Sequence, residues 1–127
     1  MLKRSVTMFA AIIFAAASFY GHTQQAAEIF IPIGKSPGIS ETDTIIGEIK
    51  SIDRQNEVIT ITDASGTFSV KIKDDTRIWL DKSKIGKTNE VGDIADCKPG
   101  SSVEVKYKEP DKISSVTAEW IKVEVTN

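Results

Sequence analysis

The sequence predicts an all-β protein, a small antiparallel barrel of five to six strands preceded by a signal peptide and an irregular arm. Three features predict it. From residue 44 onward, apolar and polar side chains alternate in short runs, the period of a strand with one buried face. Clusters of Asp, Asn, Ser, Gly and Pro separate these runs, as turns require. The first and last runs each carry a bending feature, a glycine in one and a change of parity in the other.

The elements follow in order. Residues 1–23 open with Lys3 and Arg4, continue through an apolar stretch from 6 to 20, and include the small residues Ala15, Ala16, Ala17 and Ser18 near its end. That is the layout of a secretory signal peptide, with the cut expected between 17 and 23. The apolar run is shorter than the roughly 20 residues that span a bilayer, so cleavage is expected rather than anchoring. Cys97, the sole cysteine, is too far downstream to carry a lipid anchor. The expected address is periplasmic or secreted, with membrane contact only during export.

Residues 24–43 read as the arm. Ile29, Ile31 and Ile33 alternate, but Pro32 removes a ladder donor and demotes the segment to an edge strand or tether. Gly34, Pro37 and Gly38 then punctuate a loop.

Residues 44–127 read as one domain. Gly47 within the isoleucine-rich run 44–52 predicts a bend or bulge in a curved first strand. After the turn at 53–56, the run 57–62 puts Ile59 and Ile61 on one face. Asp63-Ala64-Ser65-Gly66 is a hairpin turn with Gly placed for positive φ. In 67–73, Phe68, Val70 and Ile72 point inward and Ser69, Lys71 and Lys73 outward. Asp74-Asp75-Thr76 interrupts this run and 77–80 resumes it. Residues 81–97 form the longest break, with room for a short helix or 3₁₀ turn. Lys98-Pro99-Gly100 turns into 101–108, where Val103, Val105 and Tyr107 point in and Glu104, Lys106 and Lys108 point out. A further turn is expected at 109–112. In the last strand Val116, Ala118 and Trp120 share one parity and Ile121, Val123 and Val125 the other, which predicts a bulge near 119–121. Three strands, a longer connection and two strands is the order of an OB-like barrel.

Composition then excludes several functions. Loss of Lys3 and Arg4 with the leader leaves fourteen basic against eighteen acidic side chains, a net charge of −4. No nucleic-acid partner is expected of such a surface. Met1 and Met8 lie in the leader, and His22 lies at or near its end. Nucleophilic catalysis needs a base beside the nucleophile, so no enzyme and no catalytic residues are expected, and Cys97 is expected to be buried or inert. Asp74/Asp75 and Asp93/Asp96 fit turns better than acid–base pairs or a calcium loop. Neither a metal site nor a cofactor is expected.

One stripe remains as a candidate ligand site. Lys71, Lys73, Arg77 and Trp79 form a basic stripe ending in an aromatic on strands two to three, where OB-like barrels usually take ligands. Charge beside an aromatic suits an oligosaccharide, a nucleotide or an anionic peptide. The structural alternative is a solvated strand face with Trp79 packed beneath the arm, and Trp120 and Tyr107 fit the core.

Gly47-Glu48-Ile49-Lys50-Ser51-Ile52-Asp53, Val58-Ile59-Thr60-Ile61, Asp75-Thr76-Arg77-Ile78 and Lys98-Pro99-Gly100-Ser101-Ser102-Val103-Glu104-Val105 together resemble a bacterial family of exported small β-barrel domains of unknown function, over roughly 44–125. The 63–67 hairpin also resembles that of bacterial periplasmic OB-fold stress proteins. The opening Gly-x-x-x-x-Ile-Asp and the Gly-x-x-Val turn are similar to those of periplasmic copper-chaperone barrels. That resemblance implies a soft His and Met ligand set beside a Trp, and this chain retains Trp79 without the Met residues. The expected function is an exported, non-enzymatic binding or interaction module whose partner is open between an envelope protein and an oligosaccharide. The alternatives are an envelope structural or stress-protective protein without a small ligand, and a weak cation-binding periplasmic protein.

Overall fold

The computed structural model describes residues 27–40, 42–108 and 114–127. The signal peptide expected at 1–23, with Met1, Met8 and His22, and the turn expected at 109–112 lie outside the described residues.

Seven strands form one sheet: β1 (Thr44–Asp53), β2 (Val58–Asp63), β3 (Gly66–Lys71), β4 (Arg77–Asp81), β5 (Glu90–Val91), β6 (Ser102–Tyr107) and β7 (Ser115–Glu124). Their order is β3-β2-β1-β6-β7-β4-β5, and a further β3–β7 pairing closes β1, β2, β3, β6 and β7 into a five-stranded ring. The ring is antiparallel except at its closure, where β3 and then β4 run parallel to successive halves of β7. The interruption at 74–76 thus makes two strands of one expected run, both laid along β7. Within the break at 81–97 lie two 3₁₀ turns, Ser83–Ile85 and Ile94–Asp96, and the short β5.

The interior follows the alternation. Ile49, Ile59, Ile61, Val70, Val103, Val105, Ala118, Ile121 and Val123 are each 0–1% exposed, the dry core expected of a small barrel whose inward side chains fill it. The hairpin between β2 and β3 is held by Asp63, whose carboxylate accepts from the Ser65 and Gly66 N–H groups.

Closing five strands demands sharp local bending, and two bulges supply it. In β1, Ile49 and Ser51 pair with consecutive residues of β2, which leaves Lys50 as the extra residue. The expected bend therefore falls three residues beyond Gly47. Gly47 serves a different need, because a Cβ there would lie 2.5 Å from the Thr62 carbonyl oxygen and 2.9 Å from Ile61 Cγ2. In β7, Trp120 pairs with Lys106 and Ala118 with Tyr107, so Glu119 is the extra residue. This lies within the segment where the parity change predicts a bulge.

Gly47→Ala should destabilise the barrel by about 1–3 kcal/mol, as overpacking against fixed backbone does. A urea unfolding curve with an unchanged midpoint would show that β1 and β2 can separate without cost.

Candidate functional site

The Glu119 bulge decides which side chains reach the outer face. Val116 and Ala118 point into the core before it, and Ile121 and Val123 do so after it. Trp120 and Lys122 are consequently turned outward. Trp120 was expected in the core on its parity with Val116 and Ala118, and the extra residue is the reason it is not there. Tyr107 is partly buried and packs against the core.

Two rows of side chains then cross the outside of the sheet. One runs Thr44, Lys106, Trp120 and Arg77 through β1, β6, β7 and β4. The other runs Ile46, Glu104, Lys122 and Trp79 through the same strands, and reaches Val91 of β5. An outer face should be wet, yet Glu104 and Lys122 are 0% exposed and Trp79 and Trp120 are 6% and 5% exposed. The arm covers them.

Residues 27–40 form no strand and instead turn repeatedly across this face. Glu104 accepts from Gly34 N–H at 3.0 Å, Ser40 Oγ at 2.6 Å and Thr44 Oγ1 at 2.9 Å. Lys122 donates to Glu28 Oε1 at 2.8 Å, the Ile31 carbonyl at 2.9 Å and Ser36 Oγ at 3.3 Å. Ser36 in turn donates to Glu28. The Lys122 ammonium also sits 4.6 Å from the centre of the Trp120 ring, within cation–π range. Trp120 packs on Trp79 with ring centres 5.6 Å apart. Asp81 Oδ2 accepts from Ile33 N–H, and Asn89 donates to the Ile29 carbonyl, both at 2.9 Å.

A cavity of about 650 Å³ opens beside the tryptophans. Glu28 and Ile39 of the arm form part of its wall, and Arg77, Trp79, Lys106, Lys108, Asp75, Glu119 and Trp120 the rest. Its charges are balanced and mostly paired. Lys106 meets Glu119 at 3.0 Å and Lys108 meets Asp75 at 2.9 Å. The hydrogen bond and charge of Lys108 hold the Asp75 carboxyl below its ordinary pKa. Arg77 is exposed and has no ion-pair partner among the described residues.

The four residues expected to form the site are thus divided. Arg77 and Trp79 line the cavity. Lys71 is exposed on β3, in register with Val58 and Thr117, and Lys73 is exposed beyond it; neither lines the cavity. Trp79 offers little stacking surface, since its ring is spent on Trp120. Lys106, Lys108, Glu119 and Trp120 were missed as site residues. The parity change in the last strand carried the signal for Trp120, because a bulge there must reverse its direction.

The remaining polar candidates have structural roles. Asp93 caps the 3₁₀ turn at Ile94–Asp96, accepting from Ala95 N–H, while Asp96 accepts from Asp93 N–H. Cys97 is 1% exposed, and burial, reinforced by Asp96 and Asp93, pushes its thiol up to about 11. A thiol so shifted is a poor nucleophile at neutral pH. Among the described residues no group of three His, Cys, Asp or Glu side chains is placed to hold a metal ion.

No family model matches the chain, and no curated protein matches it. Among solved structures it is similar to a copper(II) form of a tryptophan-to-alanine variant of CusF from Escherichia coli. Identity is 20% and the TM-score 0.42, over 63% of this chain and 88% of that one. It is similar to the same degree to silver(I) CusF, covering 93% of that chain. The likeness is one of a small β-barrel scaffold.

Asp81 ties the acid stability of this face to the arm. Burial opposes its ionisation, but hydrogen bonds from Ser83 and from Ile33 N–H, with the charge of Lys122, outweigh it and lower the pKa. A carboxylate lowered on folding contributes stability that is complete above its unfolded value, near 3.9, and is lost as pH falls through the folded value. Thermal stability should therefore fall below about pH 4, and Asp81→Asn should flatten that decline. An identical acid limb in the variant would assign it to other carboxylates.

Proposed function

We propose that the chain is an exported, non-enzymatic binding module whose cavity takes a saccharide. Export rests on the charged, apolar and small-residue segments of 1–23. The saccharide rests on one observation, the balanced ring of donors and acceptors around an apolar floor. Sugar hydroxyls both donate and accept, whereas nucleotides and anionic peptides favour a surplus of positive charge. Here Arg77, Lys106 and Lys108 line the cavity together with Glu28, Asp75 and Glu119, beside Trp79, Trp120 and Ile39. The two lysine pairs at the rim are exposed and cheap to rearrange, about 0–1 kcal/mol each.

Binding rather than catalysis is favoured by the state of the reactive groups. Glycosidic cleavage needs a carboxyl kept protonated as general acid, and Asp75 is shifted the opposite way. Cys97 is buried away from the cavity lining. A second reading, an envelope structural protein without a small ligand, is favoured by the deep burial of both indoles.

Both tryptophans of the chain line the cavity, so intrinsic fluorescence reports its occupancy. Titration with a neutral tetrasaccharide, a uronic-acid tetrasaccharide and AMP should give saturable changes with a saccharide and not with AMP. Arg77→Ala and Glu119→Ala should each weaken the response about tenfold, the scale of one charged hydrogen bond lost. A response to AMP alone would overturn the saccharide assignment, and no response to any probe would favour the structural protein.

A further inference from the structure

The contacts beneath the arm are directed at its backbone. Asn89 donates to the Ile29 carbonyl and Lys122 to the Ile31 carbonyl, while Asp81 accepts from Ile33 N–H and Glu104 from Gly34 N–H, all at 2.9–3.0 Å. These four side chains come from β4, β6, β7 and the segment before β5, and each is at most 8% exposed. Two donors and two acceptors, spaced along six residues of main chain, constitute a groove that holds the backbone of a turn-rich peptide. Lys122 adds a carboxylate pocket, filled here by Glu28. The arm adds no strand to the sheet, so it can leave without breaking a ladder.

We propose that the arm is an exchangeable ligand of the barrel, able to vacate its own groove and fill that of a second copy of this chain. A vacated groove would strip the buried Lys122 of all its oxygen partners and leave Glu104, Asp81 and Asn89 with only Thr44, Ser83 and the Lys82 N–H, which strongly favours refilling in a low-dielectric setting. The segment shown to satisfy all four is the arm itself, so an identical arm is the fitting occupant. The link to the barrel is a series of local turns, with Ser40 N–H bonded to the Ser36 carbonyl and Asp43 N–H to the Ile39 carbonyl. Unwinding those turns lengthens the connection without disturbing any strand. In the exchanged dimer, Glu28 of the second copy would wall each cavity, so exchange and ligand site are physically joined. Exchange of one terminal element is a low-cost route to a symmetric dimer.

Two measurements test this. Full-length Glu28→Ala protein, whose own arm has lost its anchor, is titrated with a fluorescein-labelled peptide of residues 27–40 and followed by anisotropy. Saturable binding is expected, at least about tenfold tighter than for the same peptide carrying Glu28→Ala. No binding up to about 1 mM, or equal affinity for the two peptides, would overturn the groove. In the second, full-length Glu28→Lys and Lys122→Glu chains are refolded separately and together. Only the mixture restores opposite charges at both interfaces, so light scattering should find a dimer there alone, even where one variant is unfolded by itself. A mixture that stays monomeric or unfolded would overturn exchange between copies.

Discussion

A lysine and a glutamate sit in register on adjacent strands of this barrel, both fully buried, and the rest of the outer face is organised around them. Neither can be left bare in a low-dielectric setting, where an uncompensated charge costs several kcal/mol. No salt bridge joins Lys122 to Glu104. Each is satisfied separately, Lys122 by a carboxylate, a carbonyl and a hydroxyl of the arm, and Glu104 by an amide and a hydroxyl of the arm together with the Thr44 hydroxyl of β1. The arm is thereby fixed along 28–40, and its course shuts the tryptophan pair away from water. The cavity is a consequence of the same path, since the arm supplies part of its wall.

The geometry behind those charges is a single extra residue. Without the bulge at Glu119, strict alternation would carry Trp120 and Lys122 into the interior with Ala118. With it, the core receives Ile121 and Val123, and the indole and ammonium face outward beneath the arm. Curvature of the barrel and composition of the site thus share one cause. The Lys122–Trp120 contact adds a further hold, because a desolvated cation over an indole is worth about 2 kcal/mol.

Much of this was legible in the sequence. Period-two alternation located the core at Ile59, Ile61, Val70, Val103 and Val105, and the parity change located the bulge in β7. What alternation cannot show is whether an outward position is wet. Glu104 and Lys122 look like ordinary solvated strand residues, and only the arm, whose isoleucines and turn residues carry no regular period, makes them buried. The parallel pairing of β3 and β4 with β7 was likewise hidden, because register between distant segments leaves no local mark. Arg77 and Trp79 were found as neighbours on one strand. Lys106, Lys108 and Glu119 were not, since the site joins strands far apart in the chain. Lys71 and Lys73 share the alternation of the same run, but the break at 74–76 separates them from the cavity.

The decisive quantity is how strongly Lys122 holds the arm. Amide hydrogen exchange read residue by residue in the wild type and in Lys122→Met separates the arm from the barrel. Ile33 and Gly34, whose N–H groups bond Asp81 and Glu104, should exchange at least about 100-fold faster in the variant, the scale of a broken buried ion pair. Ile59 and Val70 of the core strands should keep nearly all of their protection. Unchanged protection at Ile33 and Gly34 would contradict the account, because the arm would then be held by something other than the buried charges.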